Sequence, residues 1–91
     1  GLGDVYKRQT FLNLQLAYNA LEKGGNLACI LNAANEIAVD AFLNDKIKFL
    51  EIAEINAKCM EQIKFIKNPT YEDYVTTDSE TRVFANSLIQ N

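Results

Sequence analysis

Histidine and tryptophan are absent from these 91 residues, proline occurs once and glycine four times. Without histidine the chain has no side chain that ordinarily titrates near neutral pH, which excludes a histidine general base and the histidine-containing zinc sites. Gly1-Leu2-Gly3 has neither a preceding strand nor a third glycine, so it is not a dinucleotide loop. The two cysteines, Cys29 and Cys59, each sit inside an apolar helical pattern. They are expected to be reduced, buried small hydrophobes rather than a disulfide.

Positive charge is also in short supply. Nine Lys and Arg against twelve Asp and Glu leave a net charge of -3, and the basic residues are scattered rather than gathered in a stripe, so a nucleic-acid partner is not expected. No apolar run approaches the ~20 residues of a membrane-spanning helix, and the N-terminus lacks the order of a signal peptide. A cytoplasmic protein without a membrane partner is the expectation.

What is present is ordinary globular composition, 48% hydrophobic and 23% charged. A domain of this size buries roughly 60–65% of its unfolded surface, so the core is modest. Leu14, Ala17, Tyr18 and Leu21 recur at the spacing of one helical face, which predicts a first helix from Phe11 to Lys23, ended by Gly24-Gly25. The second helix spans about Leu27 to Asn44, with Asn26 as cap, or begins with a separate turn over Leu27 to Leu31 and an internal cap at Asn32. Lys46 to Leu50 alternates briefly, as in an extended connector that tucks Ile47 and Phe49 onto the core. Ile52, Ile55, Cys59 and Ile63 place a third helix from about Ile52 to Lys64. Asn68-Pro69 stops the chain, and Thr70 with Asp73 resembles a capping box opening a last helical region from Tyr71 to about Ile89. Thr76 to Ser79 is a candidate break there, with Thr77 and Glu80 as a second box. The fold class expected is all-α, a small bundle of three to four helices with short connections.

Chemistry has few candidates. The stretch ILNAANEIAV, Ile30 to Val39, carries two asparagines and a glutamate where core is expected. At ~100° per residue Ile30, Ala34, Ile37 and Ala41 share one side, and Asn32, Asn35, Glu36, Val39 and Leu43 the other. Buried amides and carboxylates cost several kcal/mol unless hydrogen-bonded, so Asn32, Asn35 and Glu36 either tie neighbouring turns of this domain or face an element outside it. Glu36 and Asp40 lack a clustered third ligand, which leaves no metal site. Tyr71 and Tyr74 read as packing residues, and Glu51, Glu54 and Glu61 as a solvated face. From these residues alone, no catalytic, cofactor-binding or metal residue is assigned.

The order of residues resembles a known family. Phe11 with Leu14 to Leu21, Gly24-Gly25, the run Ile30 to Glu36 containing LNAANE, Ala41-Phe42-Leu43 and Ile47 to Leu50 follow the C-terminal part of the 1-deoxy-D-xylulose 5-phosphate reductoisomerases. The likeness continues through Phe65-Ile66, Asn68-Pro69-Thr70 and Glu72-Asp73 to Asp78, Arg82 and Ala85. Ala53 departs from it, standing where the family often has a helix-opening proline. The resemblance implies an enzyme of non-mevalonate isoprenoid biosynthesis. It would convert 1-deoxy-D-xylulose 5-phosphate to 2-C-methyl-D-erythritol 4-phosphate with NADPH and Mg²⁺ or Mn²⁺, as a homodimer. Only the last, helical domain of that enzyme is matched, so none of its nucleotide, metal or phosphate residues carries over. The resemblance also implies that Asn32, Asn35 and Glu36 fix this helix against its own domain and against missing catalytic and nucleotide-binding domains, and that this piece alone is inactive.

Residues 1–9, GLGDVYKRQ, resemble translated adapter sequence and are expected to be a non-native leader, extended or an arbitrary extension of the first helix, with residues 10–91 as the helical domain. The competing expectation is a stand-alone helical protein-interaction module that docks a partner through the polar end of the middle helix.

Overall fold

The computed structural model describes residues 1–89. It contains four helices, α1 (Leu2–Lys23), α2 (Leu27–Leu43), α3 (Glu51–Gln62) and α4 (Tyr71–Ile89), and no strand among the described residues. The all-α expectation holds. Residues 2–9 take the second of their two expected forms and extend α1.

α2 is the central element and packs against each of the other three. Its inward side is built from small residues: Ala33, Ala34 and Ala38 are fully buried and Ala41 nearly so, with Ile30 the large side chain among them. Alanines let the neighbouring helices approach closely while Leu27, Ile52, Ile55 and Cys59 fill the volume between them. Ile47 and Phe49 pack on this core as expected, though their segment is a succession of turns and bends rather than an extended connector. Phe49 stacks on Tyr6 at 6.0 Å and tilts against Phe42 at 5.4 Å.

The helix ends follow local chemistry. Gly24 and Gly25 have φ of 68° and 60°, the left-handed region that a Cβ disfavours, and they end α1. At the start of α4 the capping box forms as read: Asp73 N–H donates to Thr70 Oγ1 at 3.1 Å and Thr70 N–H to Asp73 Oδ2 at 2.9 Å. Glu51, read as part of a solvated face with Glu54 and Glu61, instead accepts the Lys48 N–H at 2.9 Å and secures the entry to α3.

Two open alternatives close and two expectations need correction. α2 is continuous from Leu27, and Asn32 caps nothing. α4 does not break at Thr76 to Ser79, because Thr77 is buried against α2's entry rather than free to cap. The face of α1 read as core points outward: Leu14, Tyr18 and Leu21 are exposed, with Phe11 exposed beside them and Ala17 half-buried, whereas Gln9 and Ala20, half a turn away, are buried. Tyr71 is 81% exposed and Tyr74 also faces outward, so neither serves as the packing residue expected. Both faces of α1 are apolar, and periodicity by itself does not rank them.

Candidate functional site

The polar residues of the molecule gather into three clusters, each tying different helices together. The first centres on Asn26, which sits at the N-cap of α2 without using its side chain as a cap. Instead Nδ2 donates to the Lys64 carbonyl at 2.9 Å and to Thr77 Oγ1 at 3.0 Å, while Oδ1 accepts the Ile66 N–H at 2.9 Å. The Asn26 N–H completes the set by donating to the Ile66 carbonyl at 3.0 Å. Asn26 is fully buried and its amide is satisfied on both ends, so it clamps the α1–α2 junction to the α3–α4 connection and to α4. Thr81, also fully buried, returns its hydroxyl to the Thr77 carbonyl at 2.7 Å.

The second cluster contains two of the three residues singled out in the sequence. Arg82 of α4 reaches Asp78 through Nε at 2.9 Å and Nη2 at 3.2 Å, and reaches Glu36 of α2 through Nη2 at 3.2 Å. Asn32 Nδ2 donates to the other Glu36 oxygen at 3.1 Å. The hydrogen bonds to Asp78 and then to Glu36 hold Arg82 still more firmly protonated than usual. Asn32 and Glu36 are exposed, so they are not the buried polar groups that the sequence pattern implied.

The third cluster joins α1, α2 and α3. Asn56 of α3 is fully buried, and its Nδ2 donates to Asn35 Oδ1 at 3.0 Å and to Asn13 Oδ1 at 3.2 Å. Its own Oδ1, equally buried, has no hydrogen-bond partner among the described residues. These three amides line a cleft of about 480 Å³ whose remaining wall is largely apolar, formed by Ala17 and Leu21 of α1 and Ala28 and Leu31 of α2. No charged side chain lines it. Asn35 alone of the three sequence candidates takes part in this cluster, half-buried as it is, while Asn32 lies at the cleft's edge.

Sequence reasoning overlooked Asn56, although a signal existed: it lies on the same helical face as Ile52, Ile55 and Cys59, and a lone amide on an apolar face needs partners. Asn26 was read as a cap, and its long-range bonds have no local signature.

Chemically, these clusters offer hydrogen bonding and one ion-pair network. Among the described residues no three of His, Cys, Asp and Glu come together to hold a metal ion. The carboxylates nearest to such a set, Glu36 and Asp78, are already committed to the Arg82 guanidinium. Cys59 is a free thiol whose burial pushes its pKa up to about 11, which keeps it from acting as a thiolate. Cys29, also free, is only half-buried, against expectation.

Comparison with known proteins gives these clusters a setting. The profile of the DXP reductoisomerase C-terminal domain matches residues 5–84. The chain is 54% identical over 81 residues to the 1-deoxy-D-xylulose 5-phosphate reductoisomerase of Phocaeicola vulgatus, covering 89% of this chain and 21% of that protein. It is 53% identical over 74 residues to the enzyme of the same name from Caldanaerobacter subterraneus, covering 81% of this chain and 19% of that protein. Against the Clostridium botulinum enzyme the identity is 47% over 75 residues, with 82% and 20% covered. The chain therefore spans about one fifth of the length of the curated relatives it matches. No solved structure matches it significantly. Set beside the four-helix architecture, a family match that covers nearly the whole of it has one meaning: the chain belongs to the DXP reductoisomerase C-terminal domain family.

Proposed function

We propose that this chain is the C-terminal domain of an NADPH-dependent reductoisomerase that converts 1-deoxy-D-xylulose 5-phosphate to 2-C-methyl-D-erythritol 4-phosphate in cytoplasmic isoprenoid biosynthesis. Its own role is structural support. The observation that carries the proposal is the family match along residues 5–84, joined to polar clusters that are spent on holding helices together. The residues present do not fit a divalent cation or a nicotinamide nucleotide, because among the described residues no three of His, Cys, Asp and Glu come together, Glu36 and Asp78 are paired with Arg82, and Gly24 and Gly25 end α1 rather than forming a phosphate loop. NADPH, the metal ion and the substrate accordingly belong to catalytic and nucleotide-binding domains outside this chain, and the full-length enzyme is a homodimer in this proposal.

Within that role Asn32, Asn35 and Glu36 are supporting residues. Glu36 links α2 to α4 through Arg82, and Asn35 links α2 to α3 through Asn56. Residues 1–9 were expected to be foreign to the domain, but the family match begins at residue 5, so in this proposal the foreign leader is held to residues 1–4.

The test is to extend the reading frame upstream of Thr10, express the full-length protein and follow NADPH oxidation with 1-deoxy-D-xylulose 5-phosphate and Mg²⁺ or Mn²⁺. Turnover by the full-length protein with none by this chain alone is the expected outcome. A reading frame without nucleotide-binding and catalytic domains would sink the proposal in favour of a stand-alone interaction module.

A further inference from the structure

α1 carries large apolar side chains on a face that nothing in the described structure covers. Phe11, Leu14, Tyr18 and Leu21 follow one another at steps of three and four residues, which holds them within one stripe along the helix. All four are exposed, Leu21 by 79% and Tyr18 by 64%, while Gln9 and Ala20 on the opposite side are buried in the domain. A helix apolar on both faces belongs between two bodies rather than at a surface.

The uncharged cleft runs alongside. Leu21 belongs both to the stripe and to the cleft wall, so the two form one continuous surface. Asn56 lines this cleft fully buried, with a carbonyl oxygen that accepts no hydrogen bond. The surface has no charge to recognise an ion or phosphate, and its chemistry of apolar contacts plus a few amides is that of a protein interface.

We infer that the outward stripe of α1 and the adjoining cleft seat the polypeptide that precedes this domain in the full-length enzyme, an apolar side chain entering the cleft. This rests on the fragment assignment above. The occupant follows from chain length: the relatives are about four times as long as this chain, so a far larger body shares the same polypeptide. Tethering gives that body a high effective concentration at the stripe, which a second copy lacks.

Hydroxyl-radical footprinting of the full-length enzyme tests the inference with internal controls. Tyr18, Leu21 and Phe11 are expected to react at least five-fold more slowly than Tyr71 and Val83, which are 81% and 70% exposed here and lie on α4. That protection should persist on hundred-fold dilution. Substituting Ala28→Trp, an exposed cleft residue, should restore Tyr18 reactivity several-fold by filling the seat. Equal reactivity of Tyr18 and Tyr71 would overturn the inference, as would protection confined to α4, both leaving the fragment assignment intact. Protection lost on dilution would transfer the surface to a second copy, and protection unchanged by Ala28→Trp would remove the cleft from it. A complete gene without upstream domains would overturn inference and assignment together.

Discussion

At the scale of single residues, the side chains that organise this molecule are uncharged amides, hydroxyls and a thiol. A fully buried amide satisfied at both ends is hard to replace, since truncation strands each of its partners. Exposed amides such as Asn32 are different, because water replaces whatever they lose. Cys59 shows the same burial acting on titration. Its ordinary thiol pKa of 9.0 is pushed up to about 11 by desolvation in the folded state. The unfolded chain therefore releases this proton first, so the contribution to stability is complete below pH 9 and is lost as pH climbs through about 11. Urea midpoints measured from pH 8 to 11 should fall more steeply for the native chain than for Cys59→Ala. Parallel slopes would show that Cys59 does not ionise late. Gln9 is the counterexample at this scale, a buried amide with no partner among the described residues, and its helical position gives no warning of that.

At the scale of elements, the helices were legible in the sequence and the junctions between them were not. The third and fourth helices were placed within one or two residues at each end, because apolar repeats and capping chemistry are local. The capping box at Thr70 and Asp73 could be read for the same reason. Asn26 was misread because a cap and a long-range clamp use the same residue type, and only the approach of Ile66 and Thr77 decides between them. The neighbouring Gly25 is fixed by that approach as well: at φ 60° a Cβ would lie 2.3 Å from the Ile66 carbonyl oxygen and 2.8 Å from the Phe65 ring. Gly25→Ala and Asn26→Ala are each predicted to destabilise the chain by on the order of 3 kcal/mol in urea unfolding, through a steric clash and through stranded buried partners respectively. Asn32→Ala, made as the comparison, should stay within about 0.5 kcal/mol. If Asn26→Ala behaved like Asn32→Ala, the clamp would have no energetic weight.

For the molecule as a whole, the arrangement is a central alanine-rich helix held on three sides, with the outward stripe of α1 left over. The amide cluster at Asn56 spans three helices, so its loss loosens the bundle rather than a single turn. Asn35→Ala in the full-length enzyme should lower the thermal midpoint by a few degrees, in line with about 1–2 kcal/mol for a buried hydrogen bond, and lower turnover with it. Unchanged values of both would remove Asn35 from the supporting scaffold. Hydrophobic spacing, one glycine pair and capping residues by themselves determined an all-α chain of three to four helices, since these signals act within a few residues of one another. The LNAANE run and its flanking motifs carried the family. Only the tertiary structure decided which face of α1 turns inward, that Asn56 and Asn26 are the buried polar centres, and that Glu36 is an exposed partner of Arg82. Those outcomes depend on which distant surfaces meet, and an amide or an apolar stripe reads the same along the chain whether it meets a partner, water or another domain.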